Sequence, residues 1–297
     1  MKYIIPITIV GAFLITTPAW AQMSHDIIYM PKKSVCIAGI YGQSTWTDYW
    51  EGSLKRDNLN IGTLATQSVT LMPAIGISNR VNLILGLPYI STSTSAGNLM
   101  GQKGLQDLSG WLKAKLIDKK GLSLHGVIGG SLPVSNYVPD FLPMSIGLQA
   151  RTATSRLIAS YKHPQTGLYV TMHGSYTWRS NITIDRDAYQ ADARVYNTNE
   201  VQVPNGFDAA ARLGVLRRKW QTEVFAERMA NLSGDNIRRN DMPFPTNNMQ
   251  ATTIGWYGKF QPRQIGVNAR VGKVINGLNA GQSTSFSVGV LYQIGGL

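Results

Sequence analysis

The sequence predicts an all-β chain: a transmembrane, up-and-down antiparallel β-barrel of about twelve strands behind a cleaved signal peptide. Three observations predict it. Long stretches alternate apolar and polar residues with a period of two. Short and long connections alternate between those stretches. After the N-terminus no apolar run reaches the roughly 18 residues that a helical span requires.

Residues 167–178 show the alternation most plainly. Leu168, Val170, Met172, Tyr176 and Trp178 share one parity; Tyr169, Thr171, His173, Ser175 and Thr177 share the other. A stretch of this length extends about 40 Å at about 3.3 Å per residue. Tilted by about 40°, it covers an apolar band about 25 Å tall. A strand of a soluble sandwich is usually about half as long.

Taken in order, residues 1–21 read as a secretory signal peptide. Lys2 supplies the positive start, residues 4–15 the apolar run, Pro18 the break, and Ala19-Trp20-Ala21 the small-x-small cleavage site. Cleavage leaves Gln22 first and residues 22–297 as the barrel. The strands are expected at roughly 34–44, 62–77, 80–91, 105–117, 121–132, 145–161, 167–179, 206–217, 220–230, 249–260, 264–273 and 283–294. Short turns fall near 77–80, 118–121, 162–166, 218–219 and 261–264. Longer loops fall near 45–61, 92–104, 133–144, 180–205, 231–248 and 274–282. Tight turns on one side and large loops on the other are the pattern of an outer-membrane barrel. An even strand number places both termini on the periplasmic side. Two places fit the pattern less well. Pro73 falls inside the second strand, where a bulge would accommodate the lost ladder bond. In 145–161 the apolar parity switches between Leu148 and Leu157, which a bulge near 151–155 would allow; Arg151 and Arg156 are left unplaced.

The chain has 28 Lys and Arg against 16 Asp and Glu, a net charge of +12. Lys2 is the only charge in residues 1–21, so cleavage lowers this by one, 12 − 1, to +11. The cations are scattered or sit in short turns, and no basic helix appears, so nucleic acid is not an expected partner. The single Cys36 excludes an internal disulfide framework.

The polar parity carries the candidate lumen-lining residues: Asp107, Lys113, Lys115, His125, His173, Asp208, Arg212, Glu223, Glu227 and Arg270. Charges on that face cannot face lipid cheaply, so it should point inward. If the strands on either side of 218–219 form a hairpin, Arg212 lies opposite Phe225, with Glu223 and Glu227 on the diagonals. Such a lining either selects solutes or fills the lumen as a cross-barrel ion-pair network; buried charges need partners in both cases. The loop aromatics Trp46, Tyr49, Trp50, Tyr137, Phe141, Tyr189, Tyr196 and Phe244 are expected to pack against one another at the rim. The alternative is a vestibule or inward-folded plug.

An enzyme is not expected. None of His25, His125, His163 and His173 sits in a Ser/His/Asp motif. No HExxH or CxxC pattern occurs, and Asp185-Arg186-Asp187 lacks the glycine and glutamate of a calcium loop. No metal and no cofactor are therefore expected.

The run Gly104-x-x-Asp107-x-x-x-x-x-Lys113, the preceding Leu87-Pro88-Tyr89, residues 133–141, and Tyr49-Trp50-Glu51-Gly52-x-Leu54-Lys55-Arg56-Asp57-Asn58 carry a family resemblance. Together they resemble the outer-membrane transporter barrels called "MetA-pathway of phenol degradation", in a Bacteroidetes-like version. The resemblance covers most of residues 30–297 and implies uptake of aromatic compounds. One departure from outer-membrane barrels in general is the end: Leu297 follows Gly-Gly, and Tyr292 lies five residues earlier.

The expected function is therefore a passive channel for small solutes, hydrophobic or aromatic ones among them, in the cell outer membrane. A sealed structural or surface-binding barrel is the alternative, and an outer-membrane hydrolase the third. Expected partners are outer-membrane lipid, the solute, and the barrel-assembly machinery during biogenesis.

Overall fold

The computed structural model describes residues 23–238 and 242–295. The expected signal peptide and Gln22 lie outside them, as does Leu297. Twelve strands form one antiparallel wall: β1 (Ser34–Trp46), β2 (Leu64–Gly76), β3 (Val81–Thr94), β4 (Asp107–Lys119), β5 (Leu122–Pro133), β6 (Thr152–Lys162), β7 (Leu168–Arg179), β8 (Gly206–Leu216), β9 (Trp220–Asn231), β10 (Gln250–Phe260), β11 (Ile265–Leu278) and β12 (Thr284–Gly295). Each pairs with its sequence neighbours, and β1 also pairs with β12, Ser34 opposite Gly295, which closes the barrel. Closure gives the backbone its hydrogen-bond partners without an exposed edge, as lipid requires. A short strand, Lys103–Leu105, extends the wall beside Tyr89–Ser91.

The two parities resolve as inside and outside. On β7, Tyr169, Thr171, His173 and Ser175 are buried, while Leu168, Val170, Met172, Tyr176 and Trp178 are exposed. The outward face carries aromatic girdles at both ends: Tyr161, Trp220, Phe260 and Tyr292 towards the short turns, Tyr89, Tyr176, Trp178 and Phe286 towards the long loops. Met172, 58 % exposed, lies between them on β7. Met172→Arg is expected to cost about 2–4 kcal/mol of unfolding free energy in a bilayer. Thr177→Arg, on the inward parity of the same strand, should cost less than half of that, because its head reaches lumen water. Urea unfolding of both variants in liposomes checks this, and equal losses would contradict the assignment of faces.

Two local expectations are corrected. Pro73 needs no bulge: Leu71 pairs with Leu87 and Ala74 with Ile84 in one unbroken register. The ladder simply lapses at the proline, whose nitrogen has no hydrogen to give. The bulges lie elsewhere, between Lys115 and Ile117 and between Thr252 and Thr253. The expected strand 145–161 starts only at Thr152. Ile146 and Leu148 belong to the loop before it, where Ile146 is buried, so the apparent parity switch is a boundary between loop and strand. This places the two undecided arginines: Arg156 bonds Asp208 inside the lumen, and Arg151 is exposed at the strand's edge.

Candidate functional site

The lumen is divided by a part of the chain to which the alternation assigns no role. Residues 23–33 precede β1; residues 23–31 run inside the barrel, and the exposed Lys32 and Lys33 lead out to β1 beside the 77–80 turn. Met30 packs on the inward residues Cys36, Ala38, Ala74, Ile84 and Leu291. Ile28 packs on Tyr169 and Leu216 across the lumen. Asp26 closes a turn, accepting from the amides of Met23 at 2.6 Å and Ile28 at 2.9 Å. Lys113, fully buried, donates to the Met23 carbonyl (3.2 Å), Asp26 Oδ1 (2.7 Å) and the Ile28 carbonyl (3.0 Å). All three ammonium hydrogens are thereby used. The Tyr29 hydroxyl lies 3.0 Å from His125 Nδ1, and Ser24 Oγ accepts from Arg156 at 3.2 Å.

This segment separates two cavities. One of about 700 Å³ lies towards the long loops and is lined by His25, Ser44, Trp46, Arg156, Arg179 and others. One of about 560 Å³ lies towards the short turns, with Ile27 to Pro31 as its ceiling and Lys115, His125 and Lys162 on its walls.

A band of ion pairs crosses the wall beside the first cavity. Arg212 lies opposite Phe225, 3 % exposed. Its Nη2 meets Glu227 at 2.6 Å, its Nε stands 3.5 Å from Glu223, and its Nη1 donates to His173 Nδ1 at 2.9 Å. Arg270 grips the other oxygen of Glu227 at 2.5 Å and stacks 4.0 Å over the Phe225 ring. Gly255 makes room for that ring, since a Cβ there would come within 2.4 Å of it. A guanidinium can only donate, so His173 Nδ1 accepts and its hydrogen sits on Nε2. Nε2–H then donates to Asp208 at 3.0 Å, and His173 is the neutral tautomer. Asp208 also accepts from Ser175, and from Arg156 at 3.3 Å. Below, Tyr169 donates to Glu223, and Gln221 donates to both.

The structure thus brings His173, Asp208, Arg212, Glu223, Glu227 and Arg270 into one network, and adds Arg156 and Tyr169 to it. It separates the other expected lumen residues. Lys113 and His125 hold the internal segment instead of lining a free path. Lys115 pairs with Asp118 at 2.8 Å near a short turn. Asp107 stands near the opposite rim and accepts from Tyr137 at 2.6 Å. Burial, and then that carboxylate, hold the Tyr137 hydroxyl well above the ordinary tyrosine range. Residues 23–33 and Arg179 are what sequence reasoning missed. The available signal was an acid, Asp26, beside the apolar run Ile27-Ile28-Tyr29-Met30, in a stretch too short for a strand of the wall.

The loop aromatics pack at the rim. Tyr189 stacks on Tyr196 at 5.1 Å and on Phe244 at 5.4 Å. Trp50 lies against Gly277, where a Cβ would come within 2.5 Å of the indole. Asn279, in a left-handed conformation, ties three loops together: it accepts from the amides of Gly52 and Ile237 and donates to Asn236 and the Asn248 carbonyl. Trp46 differs, because it also lines the larger cavity.

Among the described residues of this network no hydroxyl meets an imidazole base. The Ser175 hydroxyl is engaged with Asp208, and the acceptor nitrogen of His173 is taken by Arg212.

No family model matches the chain, and no curated protein matches it by sequence. Among solved structures the barrel is similar to the COG4313 outer membrane channel from Pseudomonas putida F1. The TM-score is 0.67 at 14% identity, over 89% of this chain and 97% of that one. It is also similar to the KdgM porin in complex with disordered oligogalacturonate. There the TM-score is 0.51 at 9% identity, over 88% of this chain and 99% of that one. At these identities the likeness establishes the fold, an outer-membrane type of barrel.

Proposed function

We propose that the protein is a passive outer-membrane channel for small solutes, with residues 23–30 as an internal plug between two chambers. The observation that carries this is the pair of cavities on either side of that segment. A barrel built only as a sealed post would have no reason to keep two roomy chambers; packed interiors hold few voids larger than a water molecule. The long loops face outward and both termini face the periplasm in this reading, as in bacterial barrels generally. The barrel-assembly machinery inserts the chain, and the girdled outer face rests in outer-membrane lipid. The Pseudomonas putida protein is itself an outer membrane channel, which supports the reading. Aromatic solutes, implied by the family resemblance, belong to this proposal, with Trp46 as a surface on which a ring could stack.

The second reading, a permanently sealed barrel, is favoured by the three bonds that Lys113 makes to the plug. Planar-bilayer recordings separate the two. Deleting residues 23–30 is expected to raise the unitary conductance several-fold over the full chain. Silence of both proteins would leave the sealed barrel standing and sink the channel.

A further inference from the structure

We propose that the larger chamber takes small organic carboxylates, met first by Arg179 and then by Arg156. The proposal rests on the channel reading and names its solute class.

The charge balance of the chamber carries the first part. Arg156, Arg179, Arg212, Arg228 and Arg270 line it, against the carboxylates of Asp208 and Glu227. His173 adds no charge, because its acceptor nitrogen faces Arg212. Five cations against two anions, 5 − 2, leave a surplus of three positive charges around the cavity, where low-dielectric surroundings focus the field.

The geometry of the two arginines carries the second part. Glu227 is shared by Arg212 and Arg270, so both of those guanidiniums are engaged. Arg179 is not. Its Nη1 donates only to neutral oxygens, the Pro204 carbonyl at 2.7 Å and Asn231 Oδ1 at 2.8 Å. Among the described residues no carboxylate pairs with it. Its Nη2 lies over Gly206, where even a Cβ would approach to 3.0 Å, so the glycine makes room for the guanidinium. Arg156 reaches Asp208 only at 3.3 and 3.4 Å, longer than the usual 2.7–2.9 Å or so of a tight guanidinium–carboxylate bond. Its Nε–H is buried and has no acceptor. Asp208 is meanwhile occupied by Ser175 and His173.

The register spaces the two groups. Arg179 stands opposite Thr152 and Arg156 opposite Ser175. They are therefore four residues apart along the β6–β7 pair, about 13 Å at about 3.3 Å per residue. A small carboxylate fits one arginine at a time and passes from the upper to the lower. The guanidinium fork matches a carboxylate bidentately, which a spherical halide cannot exploit. On the far side Ser44, Thr66 and Trp46 offer hydroxyls and an indole to the rest of the molecule.

The test is calorimetric titration of sodium benzoate, and of neutral benzamide, into the full-length barrel in detergent. Benzoate should bind and benzamide should bind at least about tenfold more weakly. Arg156→Gln and Arg179→Gln should each weaken benzoate about tenfold, the loss of one charged hydrogen bond. Arg156→Lys and Arg179→Lys, which keep the charge and lose the fork, should fall between. Arg80→Gln should change nothing, because Arg80 is exposed in the short turn at the other end of the barrel and lines neither cavity. Equal binding of benzoate and benzamide, no binding of benzoate, or indifference to both glutamine variants would overturn the proposal. Because binding is read without flux, benzoate binding in a barrel that never conducts would keep the carboxylate site and refute only the channel.

Discussion

Lys113→Met is expected to free the internal segment and lower the unfolding free energy by about 3–5 kcal/mol, the range for breaking a buried ion pair from one side. The ammonium is fully buried and makes its three bonds to residues 23–28 alone. It also lies 4.8 Å over the Tyr29 ring. Methionine fills the stem's volume but takes the ammonium away from two carbonyls and from the Asp26 carboxylate, which keeps only the amides of Met23 and Ile28. Urea unfolding measures the loss, and limited proteolysis within residues 23–30 measures the release. The same variant should conduct more than the parent. Asp26→Asn, which keeps shape and some hydrogen bonding, should fall short of both effects. A Lys113→Met barrel as stable and as protease-resistant as the parent would mean that the segment is held by packing of Ile28 and Met30 instead.

Arg212→Ala is expected to destabilise by a similar amount, about 3–5 kcal/mol. Removing this guanidinium strips Glu227 of one of its two arginines and Glu223 of its only one in the network. It also releases His173 Nδ1, so that this histidine becomes free to take a proton. The chamber then holds less positive charge, and the ion preference of any current should move towards cations. Reversal potentials in a KCl gradient measure that shift alongside unfolding. Arg212→Lys should retain part of the stability, since an ammonium keeps the charge but cannot satisfy both carboxylates and the imidazole at once. Unchanged stability together with unchanged selectivity would show the network to be idle.

Much of this architecture is legible in the alternation. A period of two, repeated over stretches long enough to cross a bilayer, leaves no other fold that satisfies the backbone. The short-turn and long-loop pattern orders the strands, and the hairpin around 218–219 sets Arg212 opposite Phe225 directly. Where the reading strayed, a local feature had imitated another. The apolar Ile146 and Leu148 look like strand residues because a loop folded back on a barrel buries apolar side chains as a strand does. Pro73 looks like a bulge because only the structure shows that a lapse of the ladder suffices.

Parity alone determined which side chains point inward, because successive residues of a strand must alternate faces. It therefore determined that Asp208, Arg212, Glu223, Glu227 and Arg270 share an interior. Tertiary structure alone decided what that interior is. Parity has no distances across a lumen, so it could not show that one neutral histidine joins Arg212 to Asp208, or that Arg179 meets no acid among the described residues. Nor does it speak of residues 23–33, which lie in no ladder and obey no period. Their position follows from the width of a twelve-stranded barrel, wide enough to admit a single turned segment, and from Lys113, whose buried charge must find an anion somewhere. That anion, Asp26, is 87 residues away in sequence, a separation only the closed barrel removes.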